Sequence, residues 1–259
     1  MREKIKNPNY PMLIGGLQKI SLLDYPGYLA AIIFTQGCNF RCQFCYNPQL
    51  VLPILGDNFK YTGFNINNDQ SQEDRLEYKE DDLFVFLKSR VDKLDAVVIT
   101  GGEPTIHKDL VNFIIKIKEL GFLVKLDTNG SNPEIIKELI NKKLVDYFAM
   151  DIKASKEKYQ QVVGVQVDWE KIKESVKIIM TSNLPYEFRT TVVPEFFDQS
   201  DIQSIGELIA GADKWCLQKF KSNTQLVNAE FKNKQSYSNQ EMKEFSEIGK
   251  KYVKKCEAR

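Results

Sequence analysis

Eleven residues, Gly37 to Asn47, read Gly-Cys-Asn-Phe-Arg-Cys-Gln-Phe-Cys-Tyr-Asn and place three thiols, Cys38, Cys42 and Cys45, in one short loop. The loop directly follows Ala30-Ala-Ile-Ile-Phe-Thr35, an apolar run that reads as a buried strand. Gaps of three and two residues between the thiols let a single loop wrap a compact metal centre, and thiolate is the ligand that iron-sulfur clusters require. Three ligands are one fewer than a fully protein-ligated cubane needs, so a 4Fe-4S cluster held here would keep one iron open to a ligand other than protein. Core thiols that merely pack as small hydrophobes have no reason to crowd a loop that also carries Asn39, Arg41 and Gln43.

Further candidates recur where later apolar runs end. Ala96-Val-Val-Ile99 leads into Thr100-Gly-Gly-Glu-Pro-Thr105, in which Gly101 and Gly102 permit close main-chain approach and Glu103 offers a carboxylate to an ammonium group. Phe122-Leu-Val-Lys-Leu126 leads into Asp127-Thr128-Asn-Gly130, and Tyr147-Phe-Ala-Met150 into Asp151-Ile-Lys153. Arg189 lies within Tyr186-Glu-Phe-Arg-Thr-Thr-Val-Val193, and a sixth run, Lys214-Trp-Cys-Leu-Gln218, follows. In parallel α/β folds ligands bind beyond the carboxyl ends of strands. These groups together suit a zwitterionic ligand with an amino group, a carboxylate and ribose hydroxyls beside an open iron.

The segments between the runs have helical periodicity: Asp81 to about Val91, Asp109 to Leu120 stopping at Gly121, a helix opened by Asn132-Pro133, then about 168–180, about 200–210 and Asn239 to Lys255. Strand and helix in alternation imply a parallel sheet. About six units are fewer than the eight of a closed barrel, so the expected fold is α/β, a partial (β/α)6 open barrel with a short N-terminal strand over residues 13–29. A doubly wound sheet is the second choice. The chain reads as one domain, 1–259, with a core of about 13–221, a polar excursion at 53–79 and a C-terminal extension at 222–259 that contains a helix.

Charge excludes some partners. The 36 basic and 35 acidic residues nearly cancel, so no global field draws the protein to nucleic acid or to a membrane surface. No stretch approaches the ~20 apolar residues of a membrane span, and the first residues lack the apolar core of a signal peptide. A cytoplasmic, reducing setting also suits five cysteines of which three are clustered.

The Cys-x3-Cys-x2-Cys loop, with Phe44 before the last thiol and Gly-Gly-Glu-Pro after the next strand, resembles the radical S-adenosylmethionine superfamily. Within it Gly15-Gly-Leu-Gln-Lys-Ile-Ser-Leu-Leu-Asp-Tyr-Pro-Gly27, Phe34-Thr-Gln-Gly-Cys-Asn-Phe-Arg-Cys42, Asp127-Thr-Asn-Gly130, Met150-Asp-Ile-Lys153 and Phe188-Arg-Thr-Thr-Val-Val-Pro194 are similar to the glycyl-radical-enzyme activases, above all the anaerobic ribonucleoside-triphosphate reductase activating proteins. The resemblance implies that Cys38, Cys42 and Cys45 ligate three irons of one 4Fe-4S cluster, whose fourth iron chelates S-adenosylmethionine. It implies adenine contacts around Phe44 to Tyr46 and amino-group contacts at Gly101, Gly102 and Glu103. Asp151 and Lys153 would face the ribose and carboxylate side, Arg189 the carboxylate, and Asp127 and Thr128 a monovalent cation. The implied activity is reductive cleavage of S-adenosylmethionine to a 5'-deoxyadenosyl radical that takes a hydrogen from a glycine of a partner glycyl radical enzyme. A flavodoxin or ferredoxin would serve as electron donor.

Some positions depart from that pattern. Many activases carry His after the third cysteine, where Tyr46 stands, and pyruvate formate-lyase activating enzymes carry a His at the position of Phe220. The only histidine, His107, reads as a solvent-exposed loop residue. Cys216 and Cys256 are too few for an auxiliary four-cysteine cluster, and the lysines at 250–251 and 254–255 read as a solvated helix face. The alternatives are a radical enzyme of the same superfamily acting on a small molecule or peptide, and a non-enzymatic zinc or iron-sulfur module.

Overall fold

The computed structural model describes residues 12–51 and 78–259. Eight strands form one sheet in sequential order: β1 (Ile14–Ser21), β2 (Ala30–Thr35), β3 (Ala96–Gly101), β4 (Leu123–Thr128), β5 (Tyr147–Asp151), β6 (Tyr186–Val192), β7 (Lys214–Lys219) and β8 (Lys255–Ala258). β1 is antiparallel to β2, and every later neighbour is parallel. The helices are α1 (Pro48–Val51), α2 (Glu80–Lys88), α3 (Leu110–Glu119), α4 (Pro133–Asn141), α5 (Tyr159–Val163), α6 (Trp169–Met180), α7 (Gln199–Leu208) and α8 (Asn239–Gly249).

The two faces of the sheet differ because side chains alternate along a strand. Ile33, Val97, Ile99, Leu126, Phe148 and Phe188 face one way and share a core with helix residues such as Leu83 and Leu87 of α2 and Leu110, Phe113 and Ile114 of α3. Each such buried side chain contributes about 1.5–3 kcal/mol. The opposite face buries Ala30, Ile32, Ala96, Val98, Tyr147 and Ala149 against one another and Tyr25, with no helix residue among them. Helices on one face and a sequential strand order make a singly wound, open barrel. A doubly wound sheet, which needs an order that reverses at a switch point, is ruled out.

Three expectations are corrected. The last helix ends at Gly249 rather than running to Lys255, because the chain turns back to add β8 to the sheet. Val253 and Cys256 keep helical spacing yet reach the core through that turn and strand, and two of the four lysines lie well beyond the helix, Lys254 paired with Asp213 (2.6 Å) and Lys255 with Glu257 (2.8 Å). Asn132 precedes α4 as expected but its side chain does not cap the helix; Nδ2 donates to Thr105 O (2.8 Å) and ties two strand-end loops together. His107 is 2 % exposed, not a surface residue, since a 3-10 turn over Pro104–Ile106 tucks it against the start of α3, where its carbonyl accepts from Leu110 N (3.3 Å). Of the expected excursion 53–79, only Tyr78 and Lys79 lie within the described residues.

Candidate active site at the strand ends

The thiol loop leaves β2 and is pinned on two sides by backbone. Gly37 N and Cys38 N donate to Leu50 O (2.7 Å) and Val51 O (3.1 Å) of α1, and Arg41 N to Val163 O (2.7 Å) at the end of α5. Arg41 folds back so that Nη1 donates to Cys38 O (2.6 Å) and Phe40 O (2.8 Å), while Phe40 N donates to Cys38 Sγ (3.3 Å). Burial pushes all three thiols up, Cys42 to about 12, with mutual repulsion adding to it and Lys153 opposing it at Cys42 and Cys45. Thiolates here therefore need a bound cation, and iron supplies one. Among the described residues no three His, Cys, Asp or Glu side chains are grouped to hold one metal ion; a cubane takes one thiolate per iron, so the donor set fits a cluster.

The loop after β3 is laid on the thiol loop through two glycines. A Cβ on Gly102 would stand 1.9 Å from Gly37 O, and Gly101, at φ +114°, would bring one within 2.4 Å of Thr35 N. Without side chains there, Gly102 N donates to Thr35 O (2.9 Å) and Glu103 N to Gly37 O (2.8 Å). Glu103, 1 % exposed, accepts from Thr105 N (3.1 Å), Thr105 Oγ1 (2.6 Å) and Thr128 Oγ1 (2.7 Å) on one oxygen and from Asn129 N (2.6 Å) on the other. Burial nonetheless raises its carboxyl above the usual range. Asn129 Nδ2 donates to Asn39 Oδ1 (2.9 Å), Asn39 Nδ2 to Ser131 Oγ (2.8 Å) and Ser131 N to Asn129 Oδ1 (2.9 Å), closing a ring that clasps the loop after β4 to the residue beside Cys38.

Across the cavity lies a chain of charges from three adjacent strands. Arg189 of β6 donates from Nε to Asp151 Oδ1 (2.7 Å) and from Nη1 to Asp127 Oδ2 (2.9 Å). Lys125 pairs with the other oxygen of Asp127, and Lys153 Nζ donates to Asp151 Oδ2 (2.9 Å). Burial alone would raise both aspartates, but Arg189 with the lysines outweighs it and holds them below the usual carboxylate range; the same pairing holds Lys153 and Arg189 above theirs.

All the expected site residues, Cys38, Cys42, Phe44, Cys45, Tyr46, Gly101, Gly102, Glu103, Asp127, Thr128, Asp151, Lys153 and Arg189, line one cavity of about 260 Å³. Asn129, Thr191 and Gln218 line it as well and were not singled out from sequence. Thr191 follows Arg189 by two along β6 and so shares its face, a parity signal that was available. Cys216 and Cys256 lie elsewhere, buried on adjacent strands and on opposite faces. Cys216 contacts Glu187 and Glu257 (3.5 Å each), while a Cβ on Gly249 would meet Cys256 Sγ at 2.5 Å.

The family model described as the Radical SAM superfamily matches residues 32–208. A Methanocaldococcus jannaschii protein provisionally named a glycyl-radical enzyme activating enzyme is 37 % identical, covering 93 % of this chain and 93 % of its own. A second protein of that organism with the same provisional name is 28 % identical over 78 % of this chain and 70 % of its own. Streptococcus suis SuiB, solved with S-adenosylmethionine bound, superposes with a TM-score of 0.62 at 16 % identity, over 86 % of this chain. The chain spans 48 % of SuiB's length, and at that identity the likeness is one of fold.

Proposed function

The chain belongs to the radical S-adenosylmethionine superfamily, and on that premise we propose that it is a glycyl-radical-enzyme activase, working as one domain on a partner protein. The observation that carries this reading is the convergence of three thiols with the Asp127, Asp151, Lys153 and Arg189 network around one cavity. The activase name of the 37 % identical relative supports the substrate class. The superfamily uses a 4Fe-4S cluster and S-adenosylmethionine. When bound, the cluster and S-adenosylmethionine would together supply one-electron reductive cleavage and hydrogen abstraction from the α-carbon of a partner glycine, with methionine and 5'-deoxyadenosine as products.

The chain's own residues bind and orient. Cys38, Cys42 and Cys45 would each take one iron. Arg189 spends two of its N–H groups on Asp151 and Asp127, which fixes the guanidinium and leaves three donors for a ligand carboxylate. Lys153, held by Asp151, presents positive charge beside Cys42 and Cys45. Three of the four donors on Glu103 share Oε1 and one takes Oε2, so the acceptor site left for an ammonium would be the second lone pair of Oε2. Backbone around Phe44 and Tyr46 would meet the adenine, with the buried surroundings excluding water. A monovalent cation at Asp127 and Thr128 would join three positive side chains, Lys125, Lys153 and Arg189, already serving two aspartates.

The partner in this reading is an anaerobic ribonucleoside-triphosphate reductase, with a flavodoxin or ferredoxin as reductant in a cytoplasmic setting. No helix among the described residues is long and apolar enough to cross a membrane. Mixing the reconstituted, reduced protein with the partner and S-adenosylmethionine under anaerobic conditions should give a stable glycyl radical by electron paramagnetic resonance and an equivalent of 5'-deoxyadenosine; Cys42→Ala should abolish both. Absence of the radical with every glycyl radical enzyme of the host overturns the reading. Substrate-dependent 5'-deoxyadenosine with a small molecule or peptide alone points to the alternative.

A further inference from the structure

The loop that follows β7 has no part in the roles assigned above, yet it is laid along the thiol loop. Val227 N donates to Cys45 O (3.1 Å) and Asn228 N to Gln43 O (3.0 Å), with Asn228 Nδ2 reaching Gln43 Oε1 (3.2 Å). Two residues of the thiol loop, Phe44 and Tyr46, flank Cys45 and reach the same loop by their rings, Tyr46 directly and Phe44 through Phe196 of the loop after β6. Tyr46 stacks on Phe220 (6.2 Å, 19°) and its hydroxyl accepts from Lys221 N (2.8 Å). Phe44 packs on Phe196 (6.5 Å), Phe196 stacks on Phe231 (5.4 Å, 23°), and Phe231 meets Phe220 edge-on (6.5 Å), so the rings close a circuit around Cys45. Phe44, Phe196, Phe220 and Phe231 are each no more than 5 % exposed. Lys234 lies over the Phe231 ring (4.1 Å) and pairs with Glu195 (3.2 Å), locking the far end.

We propose that residues 220–234 form a positioning strap that fixes the Cys45 corner of the thiol loop and closes that flank of the iron-sulfur cluster to solvent. Tyr46 and Phe220, the two positions that depart from histidine in related activases, are in this reading one packing unit of the strap. Phe231 and Val227 are positioning residues, since they act on Cys45 through rings and backbone and line no part of the cavity. The proposal rests on the cluster reading above, and its test separates the two.

Amide hydrogen exchange of residues 42–47 is measured in the metal-free protein, and release of iron to a chelator in the reconstituted protein, for the parent, Phe231→Ala, Phe231→Leu and Val227→Pro. Val227→Pro removes the N–H that bonds Cys45 O, while also fixing φ there and restricting Leu226, and it decides the matter if it folds and Phe231→Ala does not. Both rates should rise about tenfold in Phe231→Ala and Val227→Pro, the factor that a loss of about 1.4 kcal/mol in local opening gives, with Phe231→Leu near the parent. Rates within about twofold of the parent, less than one lost hydrogen bond would give, overturn the strap. Faster exchange with unchanged iron release overturns its role toward the cluster. A parent that takes up no cluster overturns the proposed function instead, and exchange still reports whether the loop is held.

Discussion

Arg189 makes two partly buried aspartates tolerable. Each carboxylate taken from water costs several kcal/mol unless a partner compensates it, and the guanidinium bridges both at 2.7 and 2.9 Å. In Arg189→Met, Asp127 keeps Lys125 and Asp151 keeps Lys153, so we expect a loss of about 3 kcal/mol in urea unfolding, the low end for breaking a buried pair. The pH dependence has a definite sign. In the parent both aspartates titrate below the ordinary value, so their contribution is complete above about pH 4 and is lost as pH falls through the depressed folded values. In the variant one lysine per aspartate is left to oppose burial, the folded values move up toward the unfolded ones, and the acid loss of stability that these groups cause becomes smaller; acid limbs of identical depth for the two proteins would contradict this. Much of this network was legible: Asp127, Asp151 and Lys153 stood after apolar runs and Arg189 within the next one. The pairing was not, because residues 62 apart in sequence, Arg189 and Asp127, meet only through the register of β4, β5 and β6.

At the scale of elements, the site is a set of loops fastened to one another. The loop after β3 touches the thiol loop backbone to backbone at Gly102 and Gly37, and the loop after β4 reaches it through Asn129 and Asn39. Gly102→Ala forces a methyl to within 1.9 Å of a carbonyl oxygen that cannot rotate away. We expect a cost of about 1–3 kcal/mol from overpacking and a disproportionate fall in iron bound per chain after reconstitution, because the displaced segment carries Cys38. A variant that unfolds at the parent's urea concentration and binds a full cluster would show that the loop adapts. The Gly-Gly pair itself was evident in the sequence, and its use for close approach was the expected one. The fastening of Glu103 by Thr105, Thr128 and Asn129 was not evident, since a lone carboxylate after a strand looks the same whether it serves a ligand or its own fold.

Over the whole molecule, the sheet is open and its edges are β1 and β8. β8 covers β7 and brings Glu257 and Arg259 toward the buried Glu187, which Lys214 and Arg259 hold ionised against the effect of burial. Removing residues 255–259 turns β7 into an edge strand held only by β6 and takes away one cation from Glu187. At about 0.5–1.5 kcal/mol per backbone hydrogen bond, plus the buried Cys256 side chain, we expect a loss of roughly 3–5 kcal/mol by chemical denaturation. An unchanged midpoint would mean that β8 is an ornament on a self-sufficient barrel.

The sequence by itself determined the chemistry and the order of the elements. The spacing of Cys38, Cys42 and Cys45, the apolar runs from Ala30 to Gln218 and the polar residues that end them are local patterns, readable because strand and helix periods are short-range properties of the chain. It could not determine that the lysine-rich C-terminus turns back as a strand, that His107 is buried, or that the loop after β7 clasps Cys45. The strand and the clasp join residues 41 and 185 positions apart, Lys214 with Lys255 and Gln43 with Asn228. Only the closing of the sheet brings such pairs within hydrogen-bond reach, so only the tertiary structure decided them.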